Sequence, residues 1–183
     1  MARAHASPAS RPARGPAWLA LALLLTTGAC RTGTGSGDLG LRVSGLPGVE
    51  PGFALAIDQR FLERPELDLD LTLGLIRTRL DEAADGEDDA LEARVGLRAR
   101  LDRGATWRPW IGAGAVWMRA RGRPHRLGAP GDYGGAFLAV GLERSLGGGW
   151  SLGPRAEVLF LDAEGGGDSG RLPRVGLDLV WRP

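Results

Sequence analysis

The chain has 183 residues, 43% hydrophobic and 25% charged, with 23 basic against 22 acidic side chains and a net charge of +1. A single cysteine excludes an internal disulfide and a cysteine-rich metal site, and the absence of a basic stripe interleaved with aromatics argues against nucleic acid as a partner. The 30 glycines and the near absence of helical periodicity favour one all-β domain.

Residues 1–29 read as an export signal. Arg3, Arg11 and Arg14 form the basic region, Trp18 to Leu25 the apolar run, and Thr27-Gly28-Ala29 the small-residue cleavage site. The run is too short to span a bilayer as a helix. Its end at Cys30 resembles a bacterial lipoprotein signal, which implies a lipid on that cysteine; ordinary cleavage after Ala29 is the alternative. Residues 30–37 then form a flexible Gly/Thr/Ser linker. Without its signal the chain is close to neutral, and its basic side chains are all arginine, with no lysine.

From residue 38 to 183 the sequence alternates with period two, which predicts strands near 38 to 45, 52 to 62, 66 to 79, 90 to 102, 107 to 119, 135 to 144, 149 to 162 and 172 to 182. In the third, Leu67, Leu69, Leu71, Leu73 and Leu75 share one face, opposite Asp68, Asp70, Thr72 and Gly74. A helix would scatter those leucines around its circumference. Connections near 63 to 65, 103 to 106 and 145 to 148 are short, while those at 80 to 89, 120 to 134 and 163 to 171 are long. Short turns at one end and long loops at the other are the pattern of a membrane β-barrel.

Two features separate such a barrel from a soluble one. Aromatics sit at strand ends: Phe61, Trp107, Trp150 and Trp181 on the short-turn side, and Phe53, Trp117, Tyr133 and Phe160 on the long-loop side, as two headgroup belts would require. The face opposite the apolar one carries both signs of charge: Arg42, Arg60, Arg94, Arg98, Arg100, Arg108, Arg155 and Arg174 with Asp58, Asp68, Asp70, Glu92, Glu143, Glu157 and Asp178. In a narrow lumen these would pair and plug it. Gly96, Gly112, Gly114, Ala139, Gly141 and Gly176 are expected to make room for the arginines. Pro154 is a misfit that predicts a bulge or a shifted register, and Gln59 falls on the nominal lipid face.

The region 38–183 resembles the small eight-stranded outer-membrane barrels of the OmpA and OmpX type. The fifth strand, RPWIGAGAVWMR, is similar to a strand common in that superfamily, and Arg174, Gly176, Leu179 and Trp181 resemble the terminal signal read by the barrel assembly machinery. The trailing Arg182-Pro183 departs from it. The resemblance implies a bacterial outer-membrane protein in contact with membrane lipid and lipopolysaccharide, with its N-terminus on the periplasmic side, no cofactor and an external partner left unidentified.

Related barrels include lipid A modifying hydrolases, which need a histidine near a serine and an acid. Here His125 could meet Ser169, with Asp132 orienting the ring, only if two loops came together. The string Gly167-Asp168-Ser169-Gly170 copies a protease motif by chance. The third long loop carries Arg119, Arg121, Arg123 and Arg126, whose guanidinium forks suit phosphate. The second carries the acidic run 81 to 90, which lacks calcium-loop spacing and is expected to be a solvated tip. The expectation is therefore a non-enzymatic barrel with a closed, charge-paired lumen. A soluble lipocalin-like lipoprotein holding an apolar ligand, a rim hydrolase and a small pore are the alternatives.

Overall fold

A computed structural model describes residues 39–47, 52–64, 66–79, 89–101, 104–121, 127, 130–164 and 169–183. The signal and lipidation site, residues 1–29 and Cys30, lie outside the described residues. Eight strands close into one barrel in chain order, each antiparallel to its neighbours: β1 (Leu39–Leu46), β2 (Gly52–Glu63), β3 (Leu67–Arg79), β4 (Asp89–Leu101), β5 (Trp107–Ala120), β6 (Gly131–Gly147), β7 (Trp150–Ala163) and β8 (Ser169–Trp181). β1 pairs back onto β8 and seals the sheet.

The register fixes the barrel's shape. Leu41 leads through cross-strand partners Ile57, Leu73, Val95, Ala115, Ala136 and Phe160 to Arg171 on β8, yet Leu41 itself pairs with Trp181. That offset along β8, with eight strands at ~4.8 Å spacing, tilts the strands by about 40° and gives a backbone radius of about 8 Å. Such a lumen holds side chains and little else. The 13 residues of β4, at ~3.3 Å each and that tilt, rise about 32 Å, enough for an apolar band of ~25 Å and its rims.

The polarity is inverted relative to a water-soluble barrel. Leu75, at 55% exposed, and its outward-facing companions Leu41, Val43, Leu55, Ile57, Leu97, Ile111, Leu138 and Leu177 cover the outside, while Glu92 is completely buried. Hydrocarbon makes this arrangement stable, because closed β-pairing leaves no backbone edge unsatisfied in lipid.

The lumen has two zones. Toward the long-loop end, Val116, Met118, Tyr133, Leu159, Leu161 and Leu172 form apolar packing that also receives Leu127 from the β5–β6 connection, and Leu46, Ala54 and Ile76 form a second, smaller apolar cluster. Toward the short turns it is charged. Sequence alternation predicts a charged inner face but not this division, because apolar residues sit on both faces near the long-loop end. Tyr133 belongs to this inner packing at 1% exposed, so it is not a member of the outer aromatic belt.

β6 is longer than its alternation predicts, because Gly131, Asp132, Tyr133 and Gly134 pair with Ala120, Arg119, Met118 and Trp117 despite lacking an apolar face. Its far end turns through Gly147, Gly148 and Gly149, all at positive φ, where side chains other than glycine are strained. Pro154 produces neither the expected bulge nor a register shift. It faces outward opposite Leu177, and the β6–β7 ladder skips Leu142 and Glu143 before resuming at Arg144↔Leu152 in the same register. The irregularities lie instead between Arg60 and Leu62 and between Ser145 and Gly147. Gln59 is half-buried and has an interaction of its own.

Candidate functional site: a charge-filled lumen and an arginine rim

Period-two alternation turns every second side chain of β3, β4, β7 and β8 inward, and the register stacks them into one network. At the short-turn end Arg108 pairs with Asp68 at 2.8 Å and Arg100 with Asp70 at 2.8 Å. Arg98 reaches Glu143 at 3.2 Å and Asp58 at 3.6 Å. Asp58 also accepts hydrogen bonds from Arg42 at 3.0 Å and Thr72 Oγ1 at 2.7 Å.

Further up, Asp178 lies 3.7 Å from Arg42 and 3.6 Å from Arg155, whose Nε is 3.7 Å from Glu157. Arg94 is held from two sides, by Glu157 at 2.7 and 3.0 Å and by Glu92 at 2.7 Å, and Arg174 donates to the other Glu92 oxygen. All nine residues expected in lumen ion pairs (Arg94, Arg98, Arg155, Asp68, Asp70, Glu92, Glu143, Glu157 and Asp178) are buried and make such pairs. The structure brings carboxylates and guanidinium groups of distant strands together, which neutralises charges that would be costly to bury alone.

Two aromatic partners of the lumen arginines escape the sequence reading. The guanidinium of Arg98 lies 3.8 Å from the ring centroid of Trp110, and that of Arg94 lies 5.3 Å from Phe137. The rings offer their negative faces where arginines outnumber carboxylates. The phase was legible for Trp110, which alternates with Gly112 and Gly114.

The inward glycines serve these rings more than the arginines. A Cβ at Gly96 or Gly114 would come within 2.7 or 2.9 Å of Phe137, and one at Gly141 within 2.6 Å of Trp110. Gly176, by contrast, borders a guanidinium, that of Arg155 at 3.4 Å. A cavity of about 40 Å³ remains beside Arg42, Arg94, Trp110 and Phe137, room for one or two waters.

Outside, arginines lean on belt aromatics at both ends. Arg119 sits 5.2 Å from Trp117, Arg171 5.6 Å from Phe160 and Arg144 5.6 Å from Trp107, while Trp150 and Trp181 touch at 6.2 Å. Arg119 also forks onto Asp132 at 2.7 and 3.1 Å, and Arg77 pairs with Asp89 at 2.9 Å. These bridges run within hairpins. Of the four expected phosphate ligands, Arg119 therefore already has a carboxylate partner. Arg121 is exposed, with its N–H donating to the Asp89 carbonyl at 2.9 Å. Arg123 and Arg126 lie outside the described residues, as do His125 and residues 81–88 of the acidic run.

Asp132, the acid expected to orient His125, is bound by Arg119. Ser169 opens β8 opposite Asp162. Of the residues resembling the assembly signal, Arg174 and Gly176 face the lumen while Leu179 and Trp181 face outward, as alternation requires. Among the described residues no trio of His, Cys, Asp or Glu has metal-holding geometry.

This geometry has close structural parallels. Neisserial surface protein A matches with a TM-score of 0.54 at 13% identity, covering 83% of this chain and all of that one. The fold is that of a transmembrane outer-membrane barrel. The N-terminal barrel of Pseudomonas aeruginosa OprF matches at 0.54 and 9% identity, covering 81% of this chain and all of that chain. The outer-membrane enzyme PagL matches at 0.53 and 16%, over 79% of this chain and 98% of its own. No family model and no curated protein matches the sequence. At these identities the likeness concerns the fold alone, and it spans both an enzyme and a surface protein.

Proposed function

We propose that the protein is a non-enzymatic structural barrel of the bacterial outer membrane, anchored by its leucine-rich exterior and held rigid by its charge-paired lumen, with external loops that make its contacts. The observation that carries this reading is the inverted polarity: Leu75 faces out while Glu92 and Arg98 are buried inside. A lipocalin-like barrel would place its apolar face inward throughout, and a pore would need a continuous wet path where the arginine–carboxylate network lies. The N-terminus of β1 and the end of β8 share the short-turn end, which in this reading is periplasmic, so a lipid on Cys30 would enter the inner leaflet.

Boiled and unboiled samples from washed outer membranes should differ in gel mobility. Release by mild salt with no shift would refute the membrane reading. Mass spectrometry of the mature N-terminus decides between lipid on Cys30 and ordinary cleavage.

In this reading the rim arginines Arg119, Arg121, Arg123 and Arg126 hold lipopolysaccharide phosphates, with Arg119 exchanging its Asp132 partner for phosphate. Replacing the four by serine should weaken lipopolysaccharide binding; unchanged binding would exclude that role. A rim hydrolase would instead show an activity that His125→Ala abolishes.

A further inference from the structure

The chain continues past Trp181, the last aromatic of β8, and the next residue is built into the barrel. Arg182 turns into the short-turn mouth. Its Nη1 donates to Glu143 Oε1 at 2.5 Å, and its Nη2 lies 3.8 Å from Asp58 Oδ2 and 3.9 Å from Asp70 Oδ2. Both aspartate oxygens are buried; Asp70 Oδ2 also lies 2.8 Å from Arg100 and Asp58 Oδ2 3.6 Å from Arg98, so Arg182 shares these carboxylates with two lumen arginines. At its longer distances Arg182 is drawn to them electrostatically.

The surroundings are cut to admit this residue, its side chain at Gly40 and its backbone at Gly149. A Cβ at Gly40 would come within 3.0 Å of Arg182 Cγ, and one at Gly149, where φ is +81°, within 2.0 Å of the Arg182 carbonyl oxygen. The Arg182 N–H donates to the Gly149 carbonyl at 2.8 Å, tying the chain end to the β6–β7 turn. The extension that departs from the assembly-signal pattern is thus a fitted part.

We propose that Glu143, Asp58 and Asp70 form a guanidinium socket at the short-turn mouth, with Arg182 as its tethered and replaceable ligand. This goes beyond the structural role proposed above, since it assigns a site and a ligand class. The three carboxylates come from β6, β2 and β3, so a planar fork with several donors spans them where a compact hydrated ion cannot. Arg182 lies beyond the β8 ladder and is held by one close ion pair and one backbone hydrogen bond. With it withdrawn, the socket accepts a free guanidinium ion.

The test uses the full chain in detergent, with the temperature at which the heat-modifiable band converts as readout. Arg182→Gly should convert at a lower temperature than wild type. Guanidinium chloride should restore most of that loss, half of it at roughly millimolar concentration. Sodium chloride at equal ionic strength should not, and wild type should not respond to either salt at these concentrations. Adding Glu143→Gln should remove the guanidinium response. Equal effects of the two salts, or an Arg182→Gly variant as stable as wild type, would refute the socket. Should the variant fail to fold alone, refolding yield becomes the readout, and a yield no better in guanidinium than in sodium counts against the proposal in the same way.

Discussion

Arg98 sits over the ring of Trp110 in the middle of the lumen, its guanidinium carbon 3.8 Å from the ring centroid, while its outer nitrogens reach Glu143 and Asp58. The indole gives a buried cation a face to rest on as well as carboxylates to pair with. Trp110→Ala would leave both a void and an arginine without its platform, a loss of about 3–5 kcal/mol. Trp110→Phe keeps a ring and should cost much less. Urea-induced unfolding of the barrel in lipid vesicles, followed by tryptophan fluorescence and gel mobility, measures both.

Arg94 is the most heavily shared cation in the upper part of the charged zone, with Glu92 and Glu157 both within 2.7 Å. Removing it by Arg94→Ala leaves two buried carboxylates short of a partner and should cost about 3–5 kcal/mol. The double change to Arg94→Met and Glu157→Gln removes one cation and one anion together, leaving Glu92 to Arg174 and Arg155 to Asp178, and should be milder. If the double variant is worse than the single one by the same unfolding assay, the charges stabilise by more than mutual neutralisation.

Gly96 and Gly114 on adjacent strands both border Phe137, and each would also bring a Cβ within 2.6 Å of a facing carbonyl oxygen. Gly96→Ala should destabilise by about 1–3 kcal/mol, the usual cost of overpacking. Phe137→Leu in the same chain should recover part of that loss but not all, since the Ala113 carbonyl contact remains. A double-mutant cycle on the unfolding midpoint tests this; strict additivity would mean that Phe137 and Gly96 do not constrain each other.

On the exterior, Leu73 faces outward near the centre of β3. Leu73→Arg should cost about 2–4 kcal/mol, the value for a cation at the bilayer midplane of a barrel. The same change at Leu39, at the short-turn end of β1, should cost far less. Equal costs at the two positions would show that the outer face does not meet hydrocarbon.

The sequence by itself determined the strand count, the two faces of each strand and the sign of the charges on the inner one. A period-two pattern under a membrane constraint admits one arrangement, with Leu67 to Leu75 outward and Asp68 and Asp70 inward. The tertiary structure alone decided which side chains meet. Arg100 pairs more closely with Asp70 than with its ladder partner Asp68, Arg174 bridges to Glu92 on β4, and Tyr133 packs inside. These choices follow from strand tilt and the register that closes β1 onto β8, which bring residues far apart in the chain to the same height. Trp110, Phe137 and Arg182 became lumen parts for the same reason: alternation gives a residue its face, and only closure of the sheet gives it its neighbours.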